Sequence, residues 1–187
     1  MGERLTAYKI KALQDFGIEV AKLGCVMLDV EPVDSAAIAP SSWAYYAKNP
    51  ERKWIKGLEA GDHITLLYGL LQNANMIRSA IDEVLDGWEP GEISIDHVGS
   101  FGSTFDDEPY ACIIGHIKVT PELIDAHARL SYLPHIDTFW EYKPHLTLGY
   151  VHKEFEQDAI ATFSQATRGG ALLTPKGLNY GWLPSER

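Results

Sequence analysis

The segment His63-Ile64-Thr65-Leu66-Leu67-Tyr68 recurs as His145-Leu146-Thr147-Leu148-Gly149-Tyr150, with His, Thr, Leu and Tyr in the same four positions. The same polar pair set inside two apolar runs constrains the chain more than any other feature. Side chains alternate faces along a strand, so His63 and Thr65 point one way while Ile64 and Leu66 point to the core, and likewise for His145 and Thr147 against Leu146 and Leu148. Each strand then offers one imidazole and one hydroxyl about 7 Å apart on its polar face.

The rest of the pattern places these strands in an α+β chain. Residues 5–20 have apolar side chains at helical spacing, and residues 24–30 read as a strand ended by Glu31-Pro32. A long connection over 34–60 contains a predicted short helix around 42–48 and, with Pro40, Pro50 and the aromatic residues Trp43, Tyr45 and Tyr46, forms a candidate lid. Strands are expected at 63–69, 93–98, 111–119 and 145–151, with a loop over 99–109, and a strand region interrupted by Pro175 and Gly177 at 171–183. Helices are expected at 73–85 and 154–166, and from a Thr120 cap with Pro121 in the first turn to about Tyr132. With helices interleaved among strands, the class is α+β.

A chain of 187 residues with 45% hydrophobic and 22% charged residues is large enough to bury a substantial core as a single domain over 1–187. Apolar stretches such as 64–71 fall well short of the roughly 20 residues of a membrane helix, and the first residues lack a signal-peptide core, so a cytoplasmic location with no membrane partner is expected. A formal net charge of -10 disfavours long RNA or DNA and favours a small ligand. The nearest basic groupings, Lys9, Lys11 and Lys22 or Arg52, Lys53 and Lys56, read as solvated helix faces. Cys25 and Cys112 lack metal or redox spacing and read as buried thiols.

Brought face to face, the two His-x-Thr strands surround a phosphate with two proton-transfer groups and two hydroxyl donors. A neutral imidazole takes a proton from the attacking hydroxyl or water, a protonated one supplies the leaving oxygen, and the Thr hydroxyls hold non-bridging oxygens. Histidine suits both roles because its ordinary pKa of about 6.5 lets both forms coexist near neutrality. The set needs no metal or other cofactor. His97, His116, His127, His135 and His152 show no metal-ligand spacing and read as ordinary polar or surface residues, and Asp106-Asp107-Glu108 as a solvated loop.

The paired HITL and HLTL motifs resemble the H-x-T-x signature of the 2H phosphoesterase superfamily. That resemblance implies a bilobal fold, two antiparallel sheets related by a pseudo-two-fold axis with a cleft between them. It assigns His63, Thr65, His145 and Thr147 as catalytic residues and implies nucleotide-like substrates with a 2′-hydroxyl or cyclic phosphate near the scissile bond. Within the superfamily the chain resembles the phage anti-CBASS phosphodiesterases, which cleave 3′,5′ linkages of cyclic oligonucleotide messengers. The grounds are compact size, acidic charge and aromatic residues around both motifs, with Tyr142 and Trp182 as candidate substrate-binding side chains. Opening of 2′,3′-cyclic phosphates on RNA ends or small nucleotides is the alternative activity. A non-catalytic nucleotide sponge is disfavoured by intact histidines in both motifs.

Overall fold

The computed structural model describes residues 23–181, apart from 104, 106 and 138–140; the expected helix at 5–20 and Trp182 lie outside the described residues. Among the described residues, seven strands form two antiparallel sheets. The first holds β1 (Gly24–Val30), β2 (His63–Leu70) and β7 (Pro175–Gly181) in the order β2-β1-β7. The second holds β3 (Ile93–Gly102), β4 (Tyr110–Ile117), β5 (His145–His152) and β6 (Leu172–Leu173) in the order β5-β4-β3-β6. Each His-x-Thr strand is thus the edge of its own sheet, beside one inner strand.

The helices are α1 (Ser35–Ile38), α2 (Arg78–Val84), α3 (Pro121–Leu130) and α4 (Glu156–Ala166). Helix α3 starts where the sequence places it, with the Thr120 hydroxyl accepting from the Leu123 amide at 3.3 Å and Pro121 in the first turn. Its buried stripe, Leu123, Ala126 and Leu130, packs on β2, while α4 turns Ala159 and Phe163 onto β3, β4 and β5. Apolar residues from both sheets, among them Val26, Leu28, Ile64, Leu66, Ile113, Leu146 and Leu148, belong to one continuous hydrophobic cluster. Burying each such side chain contributes roughly 1.5–3 kcal/mol, so the two sheets share their main stabilisation.

Several elements differ from the sequence pattern: the helix expected over 73–85 begins only at Arg78 after a turn, and the last strand runs through Pro175 and Gly177 instead of breaking there. Residues 44–48 are extended instead of helical, because the Tyr45 amide donates to the Tyr150 carbonyl at 2.8 Å and Ala44 bridges Val151; the segment satisfies the otherwise open edge of β5. A short α1 and a 3-10 turn at Ser41–Trp43 precede it. Strand β3 runs on through the expected loop to Gly102, since Gly99 to Gly102 find ladder partners in Ile114 to Ala111. Finally, Glu108 is not part of a solvated loop. Its carboxylate is fully buried and accepts from the Tyr45 hydroxyl at 2.6 Å and from the Lys48 and Asn49 amides, with Arg52 at 3.2 Å. That hub pins the 44–56 segment to the β3–β4 turn and leaves only Asp107 of the pair exposed.

Candidate active site

The two motif strands share more than sequence. Burial along β2 and β5 follows the same order for the first seven residues, half-buried at His, Thr and Tyr and buried between. Both carry a β-bulge at the same place: Val26 pairs Leu67 and Met27 pairs Thr65, leaving Leu66 extra, and Ile113 pairs Gly149 and Ile114 pairs Thr147, leaving Leu148 extra. An inserted residue shifts side-chain parity by one, so Tyr68 and Tyr150 return to the same face as His and Thr. Each tyrosine sits opposite one of the two cysteines, Tyr68 across from Cys25 and Tyr150 across from Cys112. Both thiols are buried, and burial pushes that of Cys112 up to about 12, so it is inert as a nucleophile.

Bulging frees carbonyls from the ladder, and these must find donors. On β2 the Thr65 carbonyl accepts from the Tyr142 hydroxyl at 3.2 Å, and the Leu66 carbonyl lies 2.8 Å from Nδ1 of His127, whose ring stacks on Tyr142 at 4.3 Å. On β5 the Thr147 carbonyl accepts from the Gly61 amide at 2.8 Å. Gly61 leads into β2, and Tyr142 leads into β5. Each strand is therefore held by the approach to the other, which draws the two tetrads together. The motifs diverge at Leu67 against Gly149 because a Cβ at 149 would sit 3.0 Å from the Gly57 carbonyl oxygen, where the 44–61 segment crosses.

All four motif residues of the two sheets are half-buried, β2 and β5 lie in contact, and His63 stands near enough to His145 for its charge to be felt there. His63 Nδ1 contacts Asp62 Oδ1 at 3.1 Å, and His145 Nδ1 lies 3.1 Å from the Lys143 carbonyl, which fixes its proton on Nδ1 in the neutral ring. Both arrangements leave Nε2 for a ligand. Burial holds the His145 pKa below the ordinary value, against the Lys143 hydrogen bond, and the charge on nearby His63 lowers it further. The sheets differ in what stands beside each histidine. Asp29 is the register partner of His63, its carboxylate tied to Asn179 at 3.0 and 3.1 Å, whereas His116 is the partner of His145.

Tyr142 has one face on His127 and its hydroxyl on the Thr65 carbonyl and packs against the core, so it ties the approach to β5 onto β2. Tyr180 donates to Asp82 with Arg78 over its ring at 4.6 Å. Sequence reasoning passed over Phe101, 44% exposed with its ring centroid 5.1 Å from that of His145, and over Asp62, Asp29 and His116. Asp62 was legible as the residue before the motif; the others come from cross-strand register, which no local pattern encodes. Among the described residues no group of three or more His, Cys, Asp or Glu side chains is arranged to hold a metal ion, and no helix is long and apolar enough to cross a membrane.

Compared with known proteins, the chain matches none of the curated ones. A family model does match, that of the 2′-5′ RNA ligase superfamily, over residues 59–173, more than half of the chain and inclusive of both bulged strands. That match covers both His-x-Thr strands, and the chain accordingly belongs to the 2′-5′ RNA ligase superfamily, a 2H phosphoesterase group, and is a phosphodiesterase.

Proposed function

We propose that the protein cleaves a phosphodiester beside a ribose 2′-hydroxyl by two-histidine acid-base catalysis without a metal, with cyclic oligonucleotide messengers as substrates, as in phage counter-defence. The observation that supports it most is the matching of β2 and β5 down to the bulge, with Nδ1 of each histidine engaged and Nε2 left over. His145 is the base: its neutral tautomer presents an Nε2 lone pair, and burial disfavours its charge. His63 is the acid, because the Asp62 carboxylate is a counter-charge for the proton it carries. Thr65 and Thr147 hold the non-bridging oxygens. In the internal-attack route His145 removes the 2′-hydroxyl proton, that oxygen bonds to phosphorus, and the leaving 5′-oxygen takes the His63 proton as its bond breaks. The products are a 2′,3′-cyclic phosphate and a free 5′-hydroxyl. Tyr142 and Trp182 are the aromatic candidates for contact with a base.

The test is product separation after incubation with a panel of cyclic di- and trinucleotides, their 2′-deoxy analogues and 2′,3′-cyclic mononucleotides. Cleavage of a cyclic oligonucleotide but not of its 2′-deoxy form is expected, and His63→Ala or His145→Ala should each lower turnover at least about 100-fold with the circular dichroism spectrum retained. Near-wild-type turnover in either variant removes the two-histidine mechanism. Cleavage confined to 2′,3′-cyclic mononucleotides moves the substrate to the alternative class, and binding without any cleavage makes the protein a sponge.

A further inference from the structure

His145 is the end of a row. Its register partner on β4 is His116, and the register partner of His116 on β3 is His97, so three histidines stand side by side on the cleft face of the second sheet. The His97 and His116 rings stack with centroids 4.2 Å apart and planes 16° from parallel. Asp96 Oδ2 fixes His97 Nδ1 at 2.8 Å, and His116 has no hydrogen-bond partner among the described residues. Next along the face of β3 comes Gly99. A Cβ there would lie 3.0 Å from His116 Nε2 and 3.3 Å from its Cδ2, so the missing side chain gives the edge of the His116 ring its place over β3.

We propose that His116 and His97, seated over Gly99, form a second phosphate subsite beside the catalytic one, so that the cleft selects nucleotides bearing a further phosphate next to the scissile position. Strands in a sheet lie about 4.8 Å apart, so the two rings stand about one and two strand spacings from His145, within the reach of neighbouring phosphates on one nucleotide chain. The opposite wall cannot serve. Its counterpart of His116 is Asp29, a carboxylate, with Asp62 beside His63. The cleft is thus polarised, and a second anion belongs on the His145 side.

His116 faces His97 and Asp96 from β3, and His145 and Lys143 from β5 and its approach, where Lys143 also meets Glu141 at 2.8 Å. Burial lowers its pKa first, and the like charges of His97, His145 and Lys143 add to that, against Asp96. A bound phosphate removes that repulsion, so binding there takes up a proton. This inference rests on the phosphodiesterase reading of the cleft but is measured by binding and not by turnover.

The experiment is calorimetric titration of the intact protein with adenosine 3′-monophosphate and with adenosine 3′,5′-bisphosphate, at pH 6 and pH 8, in buffers of different ionisation enthalpy. At pH 6 the second phosphate should tighten binding about tenfold to 100-fold, the range of one hydrogen bond to a charged group, although the protein carries a net charge of -10. The gain should shrink at pH 8 and be accompanied by extra proton uptake. In His116→Asn the ratio of the two affinities should fall to within about twofold of unity and the extra uptake should vanish. Gly99→Ala, which keeps every histidine but pushes the His116 ring from its place, should also collapse the ratio. A wild-type ratio near unity at pH 6, or a ratio unchanged in both variants, overturns the subsite. Cleavage of the substrate panel in that case leaves the proposed function standing, so the two failures are distinguishable.

Discussion

Replacing Gly61 with alanine tests whether the approach to one tetrad positions the other. The new Cβ would sit 3.2 Å from the Thr147 Cβ and 3.5 Å from its carbonyl oxygen. Carbon contacts relax to about 3.5–4.0 Å, so β5 must yield by about 0.5 Å at Thr147. A misplacement of about 1 Å costs about 100-fold in rate, so half of it corresponds to about tenfold, or about 1.4 kcal/mol in the transition state. Stability is the poorer readout: stretching the Gly61 amide hydrogen bond costs about 1 kcal/mol, while the stiffer unfolded chain returns about 0.4–1 kcal/mol. The assay is kcat/KM on whichever panel substrate is cleaved, with Gly102→Ala as control, since a Cβ there meets nothing within 4 Å. Activity of Gly61→Ala within twofold of wild type would refute the bracing argument.

Three further outcomes follow from the site. Because His145 must be neutral to act as base and its pKa is depressed by burial, its neutral form already predominates at the ordinary 6.5; the acidic limb of kcat/KM should lie below 6.5 and belong to the coupled histidine pair, and a limb at or above 6.5 contradicts the base assignment. Exhaustive EDTA treatment should leave turnover unchanged, and loss restored by a divalent ion would point to a metal-dependent hydrolase. Glu108→Gln should lower the melting temperature at neutral pH. The Tyr45 hydrogen bond holds the Glu108 pKa below its ordinary 4.5 against burial, so its contribution is present above 4.5 and fades as pH falls through the lower folded value; the gap between variant and wild type should close in acid.

Much of this was legible in the residues. The period-two pattern and its flanking Gly and Pro give β1, β2 and β5 almost to the residue, and Thr120-Pro121 marks the start of α3 because both act locally on the helix end. The helix expected at 42–48 failed for a non-local reason: the open edge of β5, a hundred positions on, takes the Tyr45 amide. The same holds for the buried Glu108, whose acidic neighbours suggest solvent while its donors come from residues 45–52. The motif histidines were plain from repetition alone. That His116 stands beside one and Asp29 beside the other depends on strand pairing, and so the two nearly equivalent motifs gave no sign in sequence of how their surroundings differ.

The crossed braces also bear on how the molecule comes apart. With the Gly61 amide given to Thr147 and the Tyr142 hydroxyl to Thr65, neither sheet can shed its edge strand without orphaning a carbonyl in the other. Partial unfolding of one half is thereby penalised in both, and the halves should melt as one cooperative unit despite having separate ladders. Amide exchange at Gly61 would then proceed at the rate of global unfolding and not at that of local fraying.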